Sequence, residues 1–431
     1  MVQENAPAFA EAVANDMSKP KLEMYSAEIA AIVQRSLIST EKLEEWTKPT
    51  VIDVPDWQKP WSPTIYKVAK GVVLIIAPWN YPMTLSLQPF IGAIAAGCCA
   101  VVKPSEIAPN YSALLAELAP KYLDSNAFRI VLGGVPETTK LLELQWDHIC
   151  YTGNSRVARI IATAAAKYLT PTTLELGGKC PVILDPATDI AIAAKRTLWG
   201  KAQNCGQVCV APDYVLVPRV HQDAFIAAIK ESCSQFFPDG SLASDSISRI
   251  VSPEHHSRLM DLLKRTKGEV VLGGKSQGLR IEITVVKNVL ADDSLMEEEI
   301  FGPILPIVPV DSIQDAINFV RERPHPLVLY AFTENPQVKT QILNGTLSGS
   351  LVFNDTYMQL AVNEIPLGGV GESGHGRQVL KYTFDEFSYE RGSIDLPKET
   401  EPFLGMRYAP YTEENFKSIA APALVQIPEE V

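Results

Sequence analysis

Three side chains along this sequence carry chemistry worth combining: a thiol, a carboxyl and a carboxamide. In Asn204-Cys205-Gly206-Gln207-Val208-Cys209, a cysteine follows three residues after a glycine that permits close backbone approach. An ordinary thiol is only a few per cent thiolate near pH 7, so a nucleophilic Cys209 needs a base or oriented N–H groups. The spacing places it beside a helix terminus, where backbone N–H groups can stabilise a thiolate. Upstream, Thr173-Leu174-Glu175-Leu176-Gly177-Gly178-Lys179 sets an acid at an apolar strand end, just before a Gly-Gly turn. Burying a carboxylate there is unfavourable unless it is paired, and burial raises its pKa toward the range of a general base. Ala77-Pro78-Trp79-Asn80-Tyr81-Pro82 follows another apolar run. Its Asn80 amide would sit at a strand's C-terminal end, where it can donate to an oxyanion. Each residue also has a plain alternative: Cys209 as a core cysteine, Glu175 as an acid satisfied by loop N–H groups, Asn80 as a turn residue.

Other motifs carry less. Gly369-Val370-Gly371-Glu372-Ser373-Gly374 matches G-x-G-x-x-G, but Ile365-Pro366-Leu367 precedes it instead of a long strand. It reads as a tight structural loop near a site and not as a phosphate cradle. His255-His256 lacks metal-ligand spacing and reads as the solvated start of a helix. Cys205 and Cys209 have no matching Cys/His pair, so no zinc or other metal site is expected.

Positioning such groups requires a rigid frame, and the hydrophobic pattern supplies one. Apolar runs at 72–76, 98–102, 128–132 and 147–151 alternate with helical patterns at 83–97, 110–123, 136–143 and 155–167. A second block begins near Glu175, with strands at 181–184, 213–217, 305–309, 327–332 and 350–353 and helices at 189–200, 221–236, 312–322 and 335–345. Repeated βα units with near-continuous apolar strands predict parallel, doubly wound sheets with ligands beyond the strands' C-terminal ends. The fold class is therefore α/β, with two doubly wound α/β domains. Residues 46–66 hold Pro49, Pro55, Pro60 and Pro63 and read as an extended arm. The boundaries expected are 1–176, 177–353 and a returning segment at 354–431.

The chain has 431 residues, with 38 Lys and Arg against 50 Asp and Glu, for a net charge of −12. That balance argues against nucleic acid or an anionic membrane as partner. Gly71 to Val102 is free of charge, yet Pro78, Pro82 and Pro89 interrupt it, so it reads as buried core and not as an integral membrane span. The N-terminus lacks a signal peptide's basic and apolar regions. Seven cysteines without framework spacing suggest a reducing, cytoplasmic setting.

Seven motifs in order change the weight of these readings. They are Pro78-Trp79-Asn80, Lys103-Pro104-Ser105-Glu106, Tyr151-Thr152-Gly153, Leu174 to Lys179, Gly206 to Cys209, Glu299-Ile300-Phe301-Gly302-Pro303 and Pro366 to Gly374. In this order they resemble the aldehyde dehydrogenase superfamily over roughly residues 20–391. Gly133 to Thr139, Thr163 to Lys167 and Val210 to Tyr214 are similar to its class 3 branch, which acts on fatty or aromatic aldehydes. The resemblance implies a Rossmann-like cofactor domain, a catalytic domain and a β-arm for oligomerisation. It implies NAD(P)-dependent oxidation of an aldehyde to an acid, with NAD preferred and NADP as the alternative. Cys209 would attack the carbonyl, and the Asn80 amide with the Cys209 N–H would hold the oxyanion. Hydride would then pass to the nicotinamide, and Glu175 would activate the water that hydrolyses the thioester. Lys103 and Glu106 would read the adenosine ribose, and Gly153 would open the helix facing the pyrophosphate. Glu299 would bind the nicotinamide ribose, with Phe301 and Trp79 on the cofactor side.

Asn154 and Ala158 depart from the usual Ser and Gly, which places the pyrophosphate approach in question, and Cys205 replaces a small residue beside the nucleophile. The family also starts a helix or so earlier than this chain, which is expected to expose part of the cofactor domain. Tyr357, Met358, Leu360 and Phe353 would line an apolar substrate tunnel, and the arm with Phe384 to Tyr389 implies a homodimer. Two other functions remain open at this level: an impaired nucleotide-binding homologue and a cysteine esterase.

Overall fold

The computed structural model describes residues 1–420, 422–425 and 427. The chain separates into two units. The larger comprises Met1–Trp46 and Ala69–Ser388, and the smaller comprises Thr47–Val68 and the chain from Tyr389 onward.

The larger unit holds two sheets. The first is built from β1 (Val72–Ile76), β2 (Cys99–Lys103), β3 (Phe128–Ile130), β4 (His148–Thr152) and β5 (Thr172–Glu175). These strands pair in parallel, in the order β5-β4-β1-β2-β3. The chain winds outward from β1 in both directions, so a crevice opens between β1 and β4, where the strand order reverses. Alternate residues of β1 serve both faces. Val73 and Ile75 join one apolar cluster with Phe9, Phe90 and Leu115, while Leu74 and Ile76 join another with Ile149 and Ile161.

Helices α1 (Ala6–Met17), α2 (Ala30–Thr47), α3 (Pro82–Ala96), α4 (Pro109–Tyr122), α5 (Val135–Glu143) and α6 (Ser155–Ala166) accompany the first sheet. A π-helical stretch, Met24–Ile29, leads into α2. Proline at the first positions of α3 and α4 loses nothing, because those N–H groups have no helical partner. Gly97, at φ +83°, ends α3 in the left-handed conformation and turns the chain directly into β2. The residue preceding α4, Ala108, has no side-chain acceptor for the first N–H groups. Asp16 supplies it from the end of α1, accepting from the N–H groups of Asn110 (3.0 Å) and Tyr111 (2.9 Å).

The second sheet contains β6 (Pro181–Leu184), β7 (Tyr214–Pro218), β8 (Glu269–Leu272), β9 (Thr284–Lys287), β10 (Ile304–Val310), β11 (Val328–Phe332) and β12 (Ser350–Phe353). Their order is β8-β9-β10-β7-β6-β11-β12, parallel except at the β8–β9 edge. α7 (Ile190–Ala202), α8 (Gln222–Phe236), α9 (Pro253–Arg265), α10 (Ile313–Arg321) and α11 (Pro336–Gly345) connect them. After β12 the chain returns to the first sheet, where β13 (Gly374–His375) pairs antiparallel with β5. Thr50–Val51, Thr64–Ala69 and Ser388–Ser393 form a three-stranded sheet that, apart from Ala69 and Ser388, belongs to the smaller unit. The proline-rich arm thus contains strands where its extended character was read from proline spacing.

Candidate active site

Cys209 lies in the loop between α7 and β7, after a 3-10 turn at Gln203–Gly206. That loop is anchored through Asn204, Gln207 and its backbone carbonyls. Gly206 has φ +72°, and a Cβ there would lie 2.2 Å from the Gly302 carbonyl oxygen, so only glycine fits. Gln207 is fully buried, and its amide donates to the carbonyls of Asn204 and Arg249 (3.0 Å each) while accepting from the Val251 N–H (3.0 Å). The Cys209 carbonyl accepts from the Cys180 thiol (3.3 Å), and the Val210 carbonyl accepts from the Tyr330 hydroxyl (2.7 Å).

The expected helix terminus beside Cys209 is absent. The 3-10 turn before it ends at Gly206, three residues short of Cys209, so the N–H groups that reach the thiol are those of Cys209 and Val210 in the loop and not those of a helix start. Burial, with the Glu299 and Glu175 carboxyls nearby, pushes the Cys209 thiol up to about 12. Its own N–H and that of Val210 act in the opposite direction. Cys205, buried at φ +57°, is likewise raised to about 12, chiefly by burial.

Glu175 ends β5 and is buried. Its backbone pairs with Thr152 on one side and Gly374 on the other, and its carbonyl accepts from the Gly153 N–H (3.0 Å). Its side-chain Oε1 has no hydrogen-bond partner among the described residues. Burial first, and the Glu386 carboxylate second, hold this carboxyl well above its ordinary range. The glycine-rich run at 369–374 is a tight loop against this strand. A Cβ on Gly374 would meet the Leu174 carbonyl oxygen at 1.9 Å, and Leu176 donates its N–H to Ser373 (3.1 Å).

Asn80 follows β1 and is buried. Its amide donates to the Gln207 carbonyl (3.0 Å), and its own carbonyl accepts from the Asn204 amide (2.9 Å). Three distant segments therefore converge. β1 delivers Asn80 and β5 delivers Glu175 at their C-terminal ends, while Cys209 precedes β7. Glu299 likewise precedes its strand, β10. Contributions from the second sheet thus come from its N-terminal edge, whereas the sequence pattern placed ligands at C-terminal ends. The linker 176–180 runs directly from β5 into β6 and brings that edge to the first sheet.

Lys103 ends β2, and its Nζ donates to Glu106 (2.8 Å) and to the Gly133 carbonyl (3.2 Å), which leaves the exposed Glu106 carboxylate oriented. Gly153 directly follows β4, and Asn154 caps α6 by accepting the Val157 N–H (2.9 Å). Asn is as good a cap as the usual Ser, and Ala158 packs in the core, so both departures keep the helix start intact. Trp79 meets Phe301 edge to face, with centroids 5.4 Å apart. Glu299 sits against Gly177 and accepts from the Gly178 N–H, and burial raises it to about 8. A carboxylate for ribose hydroxyls, a helix N-terminus behind a glycine and an aromatic pair, set around the β1/β4 crevice, fit a dinucleotide.

Several supporting residues escaped sequence reasoning. Lys179 donates to Asp213 (2.5 Å) and to the carbonyls of Leu295 (2.6 Å) and Glu298 (2.9 Å), and Asp213 accepts the Ile300 N–H (3.0 Å). Arg258 reaches the carbonyls of Glu299 (3.3 Å) and Ile300 (2.6 Å). Together they clamp the loop that carries Glu299. His255 does start a helix, but it is half-buried and stacks edge-on to Trp79 at 5.1 Å instead of facing solvent. Of the expected tunnel residues, Met358 is 48% exposed, and Tyr357 is buried with its hydroxyl unpartnered among the described residues, a polar feature in a lining read as apolar. Among the described residues no helix is long and apolar enough to cross a membrane.

This arrangement, a crevice that fits a dinucleotide in a doubly wound α/β fold, is that of an oxidoreductase, and the family comparison agrees. The model of the aldehyde dehydrogenase family matches residues 1–391. Aldehyde dehydrogenase family 3 member A2 of Mus musculus is 42% identical over 96% of this chain and 85% of its own length. Family 3 member I1, chloroplastic, of Arabidopsis thaliana is 41% identical over 96% of this chain and 76% of its own. The solved substrate-bound AldH of Staphylococcus aureus superposes with a TM-score of 0.94 at 39% identity, covering 98% of this chain and 92% of that one. The chain belongs to the aldehyde dehydrogenase family. Its activity is the NAD(P)-dependent oxidation of an aldehyde.

Proposed function

We propose that Cys209 is the nucleophile, Glu175 the general base and Asn80 the oxyanion donor for oxidation of fatty or aromatic aldehydes. The observation that carries this reading is the convergence from separate elements of Cys209, Asn80 and the Glu175 carboxyl, whose Oε1 has no partner among the described residues. Cys209 passes its proton to Glu175 as sulfur bonds to the aldehyde carbon, Glu175 releases that proton to solvent before the second step, and the Asn80 amide and the Cys209 N–H receive the oxyanion. Lys103 and Glu106 hold the adenosine ribose, Gly153 and the start of α6 face the pyrophosphate, and Glu299, Phe301 and Trp79 hold the nicotinamide side. The bound cofactor supplies the hydride acceptor. Glu175, raised by burial, then takes a proton from water as it attacks the thioester.

Glu106 supports a preference for NAD, because its charge repels a 2′-phosphate. The domain division at 176/177 coincides with the passage from β5 to β6. Exposed Val51, Trp57, Tyr66 and Tyr389 support use of the arm between two copies of the chain. Seven free cysteines support a cytoplasmic location. The test is Cys209→Ser with an aldehyde panel and both cofactors. NADH formation should fall to background while NAD binding persists, and retained turnover would refute the assignment.

A further inference from the structure

We propose that Lys19 and Glu28 are positioning residues for the Asn80 amide, their buried ion pair holding the turn that aims it. The inference deepens the reading of Asn80 as oxyanion donor and rests on it.

Both side chains are fully buried, with Lys19 Nζ 2.6 Å from Glu28 Oε1. The remaining reach of each is spent on residues 80 to 84. Lys19 Nζ donates to the Asn80 carbonyl (2.9 Å) and lies 3.6 Å from the centroid of the Tyr81 ring. Glu28 Oε2 accepts from the N–H groups of Met83 (2.9 Å) and Thr84 (3.2 Å). Those are orphan donors at the start of α3, and the residue before the helix, Tyr81, has no side-chain acceptor for them. Glu28 therefore caps α3 from another segment while Lys19 fixes the peptide just before it.

The Asn80 carbonyl is held by Lys19 and by Asn204, and its amide by Gln207. Asn204 and Gln207 belong to the Cys209 loop, whereas Lys19 ties the turn from outside that loop. A buried ion pair is a weak source of stability, because an apolar pair of similar volume often serves as well. What an apolar pair cannot do is bond the Asn80 carbonyl and two helix N–H groups at once. Oxyanion donors act over a narrow distance range, and a misplacement of about 1 Å can reduce rate about 10²-fold.

A double-mutant cycle tests this. In the full-length enzyme, Asn80→Ala should lower kcat about 10²- to 10³-fold. Lys19→Met should lower kcat about tenfold or more, with aldehyde KM and NAD affinity within about threefold. In the Asn80→Ala background Lys19→Met should have no further effect, since its action runs through that amide. An equal fold-loss in both backgrounds overturns the proposal and leaves the Asn80 assignment standing, whereas an Asn80→Ala enzyme with normal kcat overturns the assignment itself. Should Lys19→Met fail to fold, Glu28→Gln keeps an acceptor for Met83 and Thr84 while removing the charge that holds Lys19. It should show a smaller kcat loss that also vanishes in Asn80→Ala, and persistence of that loss there overturns the proposal.

Discussion

Two causes raise Glu175, and mutation can separate them. Burial is the larger, and the Glu386 carboxylate adds repulsion. Glu386 is itself held by the Thr173 hydroxyl (2.7 Å) and the Arg377 N–H (3.0 Å), and Thr173 lies two residues before Glu175 on the same strand. Glu386→Gln removes the charge and keeps one acceptor oxygen for the Arg377 N–H, while its amide NH2 can donate to the Thr173 hydroxyl oxygen. Less repulsion means that the Glu175 anion forms more readily, so its pKa falls toward the ordinary range. A base must be deprotonated to act, so the acidic limb of thioester hydrolysis should move to lower pH. Single-turnover hydrolysis across pH measures this, and an unmoved limb would show that burial alone sets the value. The resting Cys209 thiol, raised to about 12, makes such a base all the more necessary.

At the scale of elements, β11 does more than fill the second sheet. Its Tyr330 hydroxyl donates to the Val210 carbonyl (2.7 Å) and accepts from the Tyr357 N–H and the Gln359 amide (3.4 Å each). It thereby joins the segment after Cys209 to the turn at 357–361. Tyr330→Phe preserves the ring and strands a buried carbonyl, so a stability loss of about 1–3 kcal/mol is expected. Urea unfolding at constant m-value measures it, and no change would mean that water replaces the hydroxyl. This contact also shows where sequence legibility stops. Strands such as Val72–Ile76 and Pro181–Leu184 were legible because a buried parallel strand is a short apolar run with turns at its ends. Cys209, Glu175 and Asn80 stood out as candidates because each lies two or three residues from Gly or Pro near a strand or turn boundary, but the local pattern left each with a plain alternative and only the seven ordered motifs gave them roles. Tyr330 looks like any core tyrosine, and Lys179, Arg258, Lys19 and Glu28 look like any surface charge. Their roles depend on partners scores of residues away, which no local pattern encodes. The edge from which the second sheet contributes was hidden for the same reason, since it follows from how the two sheets are joined.

The whole molecule inherits a pH dependence from one buried acid. Glu23, between α1 and the π-helical stretch, accepts the Asn204 N–H (3.0 Å) and so ties the N-terminal helices to the Cys209 loop. Burial is the main cause raising it from 4.5 to about 7. The folded state therefore binds this proton more tightly than the unfolded chain does. Its contribution is fully present below pH 4.5, declines as pH rises toward about 7, and is gone above that. At 1.36 kcal/mol per pH unit the change amounts to about 3 kcal/mol. Glu23→Gln keeps an acceptor for Asn204 without a charge to desolvate, so it removes this slope. The net charge of −12 also disfavours compactness as carboxylates ionise, but that background is nearly common to both proteins and cancels in their difference. Thermal or urea unfolding should find Glu23→Gln close to the parent at pH 5 and more stable by up to about 3 kcal/mol at pH 8. A difference independent of pH would mean that Glu23 is ionised in the folded protein throughout, with Lys19 as its compensating charge.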